Sequence, residues 1–131
     1  MDNTSPDYHL EDFHLLKNTS FNKKFLKTIV KVSNVCDFEV CGAVTKEKIH
    51  FFKNLSLSPQ DTFYINPLDY TKIYPKIQFF FHSHCLGGAK PSEADIFIST
   101  EIDRPFLIYS TISKNFSFYT PKTQNLIYFS L

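Results

Sequence analysis

The run Ile77-Gln78-Phe79-Phe80-Phe81-His82-Ser83-His84 constrains this chain more than any other segment. A bounded apolar stretch of that length predicts a buried central strand. In a strand, residues i and i+2 share a face. Phe80, His82 and His84 are therefore expected on one face, with Ile77, Phe79 and Phe81 filling the other. Cys85 to Lys90, which contains Gly87-Gly88, reads as a loop. Ser92 then opens a helix running to about Ile102. The expected unit is strand, loop, helix, with two imidazoles at the strand's end facing the helix start.

Other elements assemble around that unit. Phe21 to Val35 predicts an amphipathic helix: Phe21, Phe25, Ile29 and Val32 recur at helical spacing, with Lys23, Lys24, Lys27 and Lys31 on other faces. Ser20 is its expected N-cap. Glu39 to Val44 suits a buried strand, Lys48 to Lys53 its hairpin partner, and Thr45 to Glu47 the turn. Asn54 to Asp61 is loop-like and Thr62 to Ile65 extended. Asn66-Pro67 begins a turn or short helix through Tyr74, which Pro75 is expected to end. Phe106 to Ile112, Phe116 to Tyr119 and Leu126 to Phe129 predict three further strands, with Ser113 to Asn115 as a turn. Residues 1–20 read as a lead-in, with a short strand or turn near Phe13 to Leu16, and residues 21–131 as the domain. That order predicts a single α/β domain: a curved mixed β-sheet flanked by helices.

Composition narrows the function classes. With 131 residues, 43% of them hydrophobic, the chain can bury a real core. Fifteen Phe and seven Tyr predict a core filled by Phe, with an apolar surface patch for a partner. Only three Gly occur, so each is expected to have a positional reason. A net charge of +1 with no basic tail argues against a nucleic-acid partner. No stretch approaches the ~20 apolar residues of a membrane helix. Cys36, Cys41 and Cys85 make an odd count without a C-x-x-C pair, which predicts free thiols and a reducing compartment. The acidic, polar Met1 to Asp12 stretch lacks the pattern of a signal peptide. The expectation is a cytoplasmic monomer.

The chemistry concentrates between His82 and Asp95. Two His at i, i+2 can offer nitrogens to one ion. Ser92-Glu93-Ala94-Asp95 follows after seven residues. By itself it reads as a capping box at a helix start. Beside the histidines, the first helical turn can also present Asp95 to the strand end. Catalytic zinc sites use three protein ligands and leave a position for water. His82, His84 and Asp95 meet that requirement, and Ser92 can hydrogen-bond a developing oxyanion. A general base is still needed. Glu39, between Phe38 and Val40 and ahead of Cys41-Gly42-Ala43-Val44, is costly to bury without a role or partner. Its other reading is an exposed strand-entry residue. Glu47, in a turn, and Glu93, pointing away from Asp95, are weaker choices.

Glu39-Val40-Cys41-Gly42, His82-Ser83-His84, and Pro91-Ser92-Glu93-Ala94-Asp95 together resemble the JAMM (JAB1/MPN+) metalloprotease signature. Phe63-Tyr64-Ile65-Asn66-Pro67 resembles the family's stretch between base and ligands. The likeness spans about residues 21–119. It implies one Zn2+ per chain held by His82, His84 and Asp95. It further implies that Glu39 is the acid/base and that Ser92 stabilises the tetrahedral intermediate. The family fold is a mixed sheet flanked by helices, similar to cytidine-deaminase folds. Its reaction is hydrolysis of peptide or isopeptide bonds, commonly after the C-terminal tail of ubiquitin or a ubiquitin-like protein. Cys85 departs from the pattern, because Pro often follows the second His; it reads as a tolerated substitution, with an extra metal or redox-sensitive ligand as the alternative. The chain's short length resembles prokaryotic or phage JAB domains more than eukaryotic deubiquitinases.

The leading expectation is a zinc (iso)peptidase acting on a ubiquitin-like protein, as in bacterial ubiquitin-like antiviral defence systems. The substrate tail is expected to lie extended along a strand edge, with small residues next to the scissile bond. Alternatives are a phage-tail or cell-wall-linked JAB peptidase, a RadC-like DNA-processing protein and a non-catalytic MPN scaffold. Chains of the first kind often carry a second peptidase domain. The Glu-x-Cys-Gly context opposes the second, and the retained ligands oppose the third.

Overall fold

The computed structural model describes residues 22–131. Expectations for Phe13 to Leu16, the lead-in, Ser20 and Phe21 lie outside the described residues. Within them the order is α1 (Asn22–Asn34), β1 (Cys41–Thr45), β2 (Ile49–Phe52) and β3 (Ile77–His84), then α2 (Glu93–Ile102), β4 (Phe106–Ser110), β5 (Phe116–Thr120) and β6 (Asn125–Phe129). Two short 3-10 turns, Pro67–Asp69 and Tyr74–Lys76, precede β3.

The six strands form one sheet in the order β2-β1-β3-β4-β5-β6. Only β3 and β4 pair in parallel; the remaining pairs are antiparallel. Parallel neighbours need a crossover connection, and α2 supplies it. The α/β class and the mixed sheet are as the sequence predicts.

Helices cover both faces. Phe25, Leu26 and Ile29 of α1 join Val44, Phe79, Phe81, Leu107 and Phe118 in the larger core. Ile98 and Ile102 of α2 pack on the opposite face, against Ala43, Ile77, Phe80 and Phe106. Aromatic rings dominate this packing, as the Phe count suggests. Phe79 and Phe118, for example, meet edge to face at 5.4 Å, the geometry that aromatic quadrupoles favour.

Three expectations need correction. Ile77 does not share the face of Phe79 and Phe81; it packs beside Phe80. The register changes between Val44, opposite Phe79, and Thr45, opposite Ile77, leaving Gln78 as the extra residue of a bulge. A bulge turns the residues beyond it onto the other face. Pro75 does not end a helix; it occupies the first turn of the second 3-10 segment. There an absent N–H costs nothing, because that donor has no intrahelical partner. Of the three glycines only Gly42 is sterically required. A Cβ there would collide with the His50 carbonyl and the Phe81 ring, whereas Gly87 and Gly88 have open or ordinary surroundings and no glycine has positive φ.

Candidate metal centre and its cleft

Strand β3 ends on the two histidines, and its pairing with β1 and β4 holds both at the sheet's centre. His82 is 1% exposed. Phe63 packs against it at a tilt of 31°, 4.3 Å between ring centroids, and Phe106 meets it edge-on at 5.4 Å. Helix α2 begins across the loop. Ser92 is its N-cap, and Ser92 with Asp95 completes a capping box. The Asp95 N–H donates to Ser92 Oγ at 3.0 Å, and the Ser92 N–H donates to Asp95 Oδ2 at 2.9 Å. The capping box and the candidate metal ligand therefore share Asp95. The box that starts the helix also fixes the carboxylate toward the strand end.

Asp95 Oδ2 lies 3.0 Å from His84 Nε2, and Asp95 Oδ1 lies 3.1 Å from His82 Nε2. One ligand atom from each of His82, His84 and Asp95 lies within 4.8 Å of the others. His84 is steered from behind: its Nδ1 meets the Gly88 carbonyl at 2.8 Å. A hydrogen bond of this kind sets a ligating histidine's orientation and tautomer.

Electrostatics separate the groups. Burial alone would raise the Asp95 carboxyl, but the two imidazoles and the Ser92 N–H outweigh it and hold the group ionised. Burial keeps the His82 imidazole below its ordinary pKa, only partly opposed by Asp95. For His84, burial is outweighed by its hydrogen bonds to Asp95 and Gly88, and its pKa is raised.

These residues fit a divalent cation. Neither ring nitrogen of His82 has a hydrogen-bond partner, although the residue is fully enclosed. Nε2 is close to Asp95 Oδ1 but not aligned for a hydrogen bond. A buried nitrogen without a well-aligned partner is expensive, and an ion shared with His84 and Asp95 would satisfy one of the two. Two nitrogens and one carboxylate, with room beside them, match the donor set of catalytic sites.

That room is a cleft of about 360 Å³ lined by Glu39, Asp61, His84, Lys90, Ser92 and Asp95, among others. Glu39 stands just before β1, not within it. It is 5% exposed, so the exposed strand-entry reading fails. Burial pushes its carboxyl up to about 8, with His84 lowering it and Asp95 and Asp61 raising it. Its N–H donates to the Pro59 carbonyl at 2.6 Å. Glu47 and Glu93 are exposed, and neither lines the cleft.

Two residues that sequence reasoning left without a role position Glu39. Ser83, between the histidines, accepts the Val40 N–H on its Oγ at 2.9 Å, while its own N–H donates to the Val40 carbonyl at 2.9 Å. It thus extends the β1–β3 contact to the residue beside Glu39. Asn54 Nδ2 donates to the Glu39 carbonyl at 2.9 Å and to the Thr62 carbonyl at 3.0 Å. Asn54 Oδ1 accepts the N–H groups of Ser56 at 3.0 Å and Tyr64 at 3.1 Å. A lone Asn in a polar loop signals a turn, and nothing local reveals that it bridges three segments.

All three cysteines are free. Cys85 Sγ donates to the Gln60 carbonyl at 3.4 Å and is outside the His82, His84, Asp95 cluster. Among the described residues, no helix is long and apolar enough to cross a membrane.

Comparison with known proteins places the chain by its fold. No protein-family profile matches it, and no curated protein does. Among solved structures it is similar to the solution structure of a protein from Desulfitobacterium hafniense. That alignment has 19% identity, covers 82% of this chain and 86% of the other, and has a TM-score of 0.57. At such identity the likeness is one of fold alone. It is also similar to a JAB1/MPN domain protein from Archaeoglobus fulgidus, at 20% identity over 80% of this chain and 91% of that one, with a TM-score of 0.47.

Proposed function

We propose that this chain is a zinc-dependent (iso)peptidase of the JAMM type. Its substrate is the bond after the C-terminal tail of a ubiquitin-like protein. One observation carries the reading: His84 and Asp95, two members of a metal-competent cluster completed by the buried His82, line a cleft with Glu39, a buried carboxyl with its pKa raised to about 8. A structural ion pair explains the histidines and Asp95 but gives no reason to bury Glu39 beside them.

His82, His84 and Asp95 would hold the ion. Zn2+ in such a site lowers the pKa of a water toward ~7 and polarises a carbonyl. The remaining work falls to the chain. Beside the ion, an ionised Glu39 could take a proton from the attacking water and, once protonated, return it to the leaving amine, the two halves of general acid–base catalysis. Burial, which favours the protonated form, makes Glu39 a ready proton acceptor. Ser92 accepts the Asp95 N–H on its oxygen, which leaves its own O–H free to donate to an oxyanion. Asn54 and Ser83 keep Glu39 at the cleft wall. The exposed rim offers a place for an extended tail, and the signature residues support a ubiquitin-like protein as its owner.

The test joins metal content with cleavage. Purified protein should bind about one zinc per chain. Loaded with zinc, it should cleave a ubiquitin-like protein fused through its C-terminus to a reporter. A folded protein with no zinc affinity removes the enzyme reading. Zinc binding with no cleavage of any ubiquitin-like fusion moves the substrate assignment elsewhere.

A further inference from the structure

Behind the metal cleft lies a second cavity of about 290 Å³. The two share a wall, since Phe63 and Ile98 line both. Tyr70, Phe80, Ile102 and Phe106 are among the other lining residues, and no charged side chain lines it. Its position relative to the ligands is set by two short links. Phe63 packs against the His82 ring. Ile98 follows Asp95 by three residues, so it lies on the same side of α2 one turn further along. The chamber therefore begins about one side chain away from the metal ligands.

We propose that this chamber is a specificity subsite, and that it takes one phenylalanine-sized apolar side chain of the substrate, within two or three residues of the bond to be cut. The inference rests on the reading of the cleft as the place where a peptide is held. Three observations select the occupant. The first is continuity with the cleft: an extended peptide directs alternate side chains to one side, about 7 Å apart. Phe63 and Ile98 border both spaces, so a side chain of a peptide held beside His84 would enter the chamber at that shared wall. The second is size. A cavity of about 150 Å³ lined by Leu, Ile and Phe holds a benzene ring, so 290 Å³ admits a ring and its stem. The third is chemistry. A wall of aromatic and aliphatic groups gains from an apolar occupant and offers nothing to a charged one. At the rim, Tyr64 is 57% exposed, leaving aromatic surface in water where the substrate would enter.

The experiment uses the full chain with labelled isoleucine methyls. The probes are two capped peptides, acetyl-Gly-Gly-Phe-Gly-Gly-amide and the same peptide with Ala in place of Phe. The Phe peptide should shift the Ile98 and Ile102 methyl signals and saturate at an about tenfold lower concentration than the Ala peptide. Ile102→Trp fills the chamber without entering the metal cleft, and should abolish that difference. If Ile102→Trp does not fold, Ile102→Ala serves. It should weaken the Phe peptide severalfold and leave the Ala peptide unchanged. Equal binding of the two peptides overturns the proposal, as do shifts confined to methyls elsewhere. A zinc titration of the same sample separates this inference from the one beneath it. Zinc binding without a methyl response rejects the chamber alone. A methyl response in a protein that binds no zinc rejects the metal centre and leaves the chamber standing.

Discussion

At the scale of single residues, Glu39 is where burial becomes chemistry. Glu39→Gln keeps shape and hydrogen-bonding capacity but cannot carry a proton. Turnover should fall by about 10²–10⁴-fold while zinc stoichiometry stays unchanged; equal turnover would remove Glu39 from the mechanism. Its pKa also has a consequence for stability. The folded value, raised by burial to about 8 from 4.5, favours the protonated form. The associated stability is fully present below pH 4.5 and is lost as pH rises through about 8. In metal-free protein, wild type should therefore lose stability relative to Glu39→Gln between those limits. Urea unfolding of both proteins at several pH values measures this, and parallel curves would contradict it. Ser83 makes a different point. Ser83→Ala leaves the buried Val40 N–H without its side-chain acceptor, which should cost about 1–3 kcal/mol. Its neighbours announce themselves in the sequence as metal-ligand types, whereas Ser83 is recognisable only once Val40 lies opposite.

At the scale of elements, the start of α2 has two duties that substitution can separate. Ser92→Ala removes the N-cap and should destabilise the fold by about 0.5–2 kcal/mol in denaturant unfolding, with turnover also reduced. Ser92→Asp retains a capping oxygen but brings negative charge to the place where the proposed reaction would develop an oxyanion. It should keep stability and lose turnover. A capped, fully active Ser92→Asp protein would confine Ser92 to the helix. This element was legible because its signal is local: Ser, then an acidic residue three positions on, ahead of an apolar stretch. Strand β3 was legible for the same reason, and its bounds are as the apolar run implies. The bulge at Gln78 was not. Whether a strand slips by one residue depends on what its neighbour presents, and here that neighbour is Val44-Thr45 of β1. The segment from Asn54 to Tyr64 shows the same limit. It has no regular structure, yet Asn54 organises it through five side-chain hydrogen bonds that meet residues as far as fifteen positions away.

For the whole molecule, zinc should act as a folding ligand as well as a catalytic one. A ligand at 100 times its dissociation constant stabilises by about 2.7 kcal/mol. Zinc should therefore raise the melting temperature and a chelator lower it, with both effects absent in His82→Ala. Affinity should tighten as pH rises from about 5.5 to 8, because a ligating imidazole must be neutral. The raised pKa of His84 makes a proton its competitor. Zinc affinity flat across that range would speak against His84 as a ligand. By itself the sequence determined the α/β class, the central strand and the helix cap. It also determined the residue types that can hold an ion: apolar periodicity, caps and ligand spacing are all written within a few neighbouring positions. Only the tertiary structure decided that Glu39 is buried in the cleft lined by His84 and Asp95, that Asn54 and Ser83 hold it there, and that an apolar chamber lies beside that cleft. Those outcomes depend on which distant side chains the sheet brings together. Desolvation, unlike periodicity, belongs to the assembled packing and to no short stretch of chain.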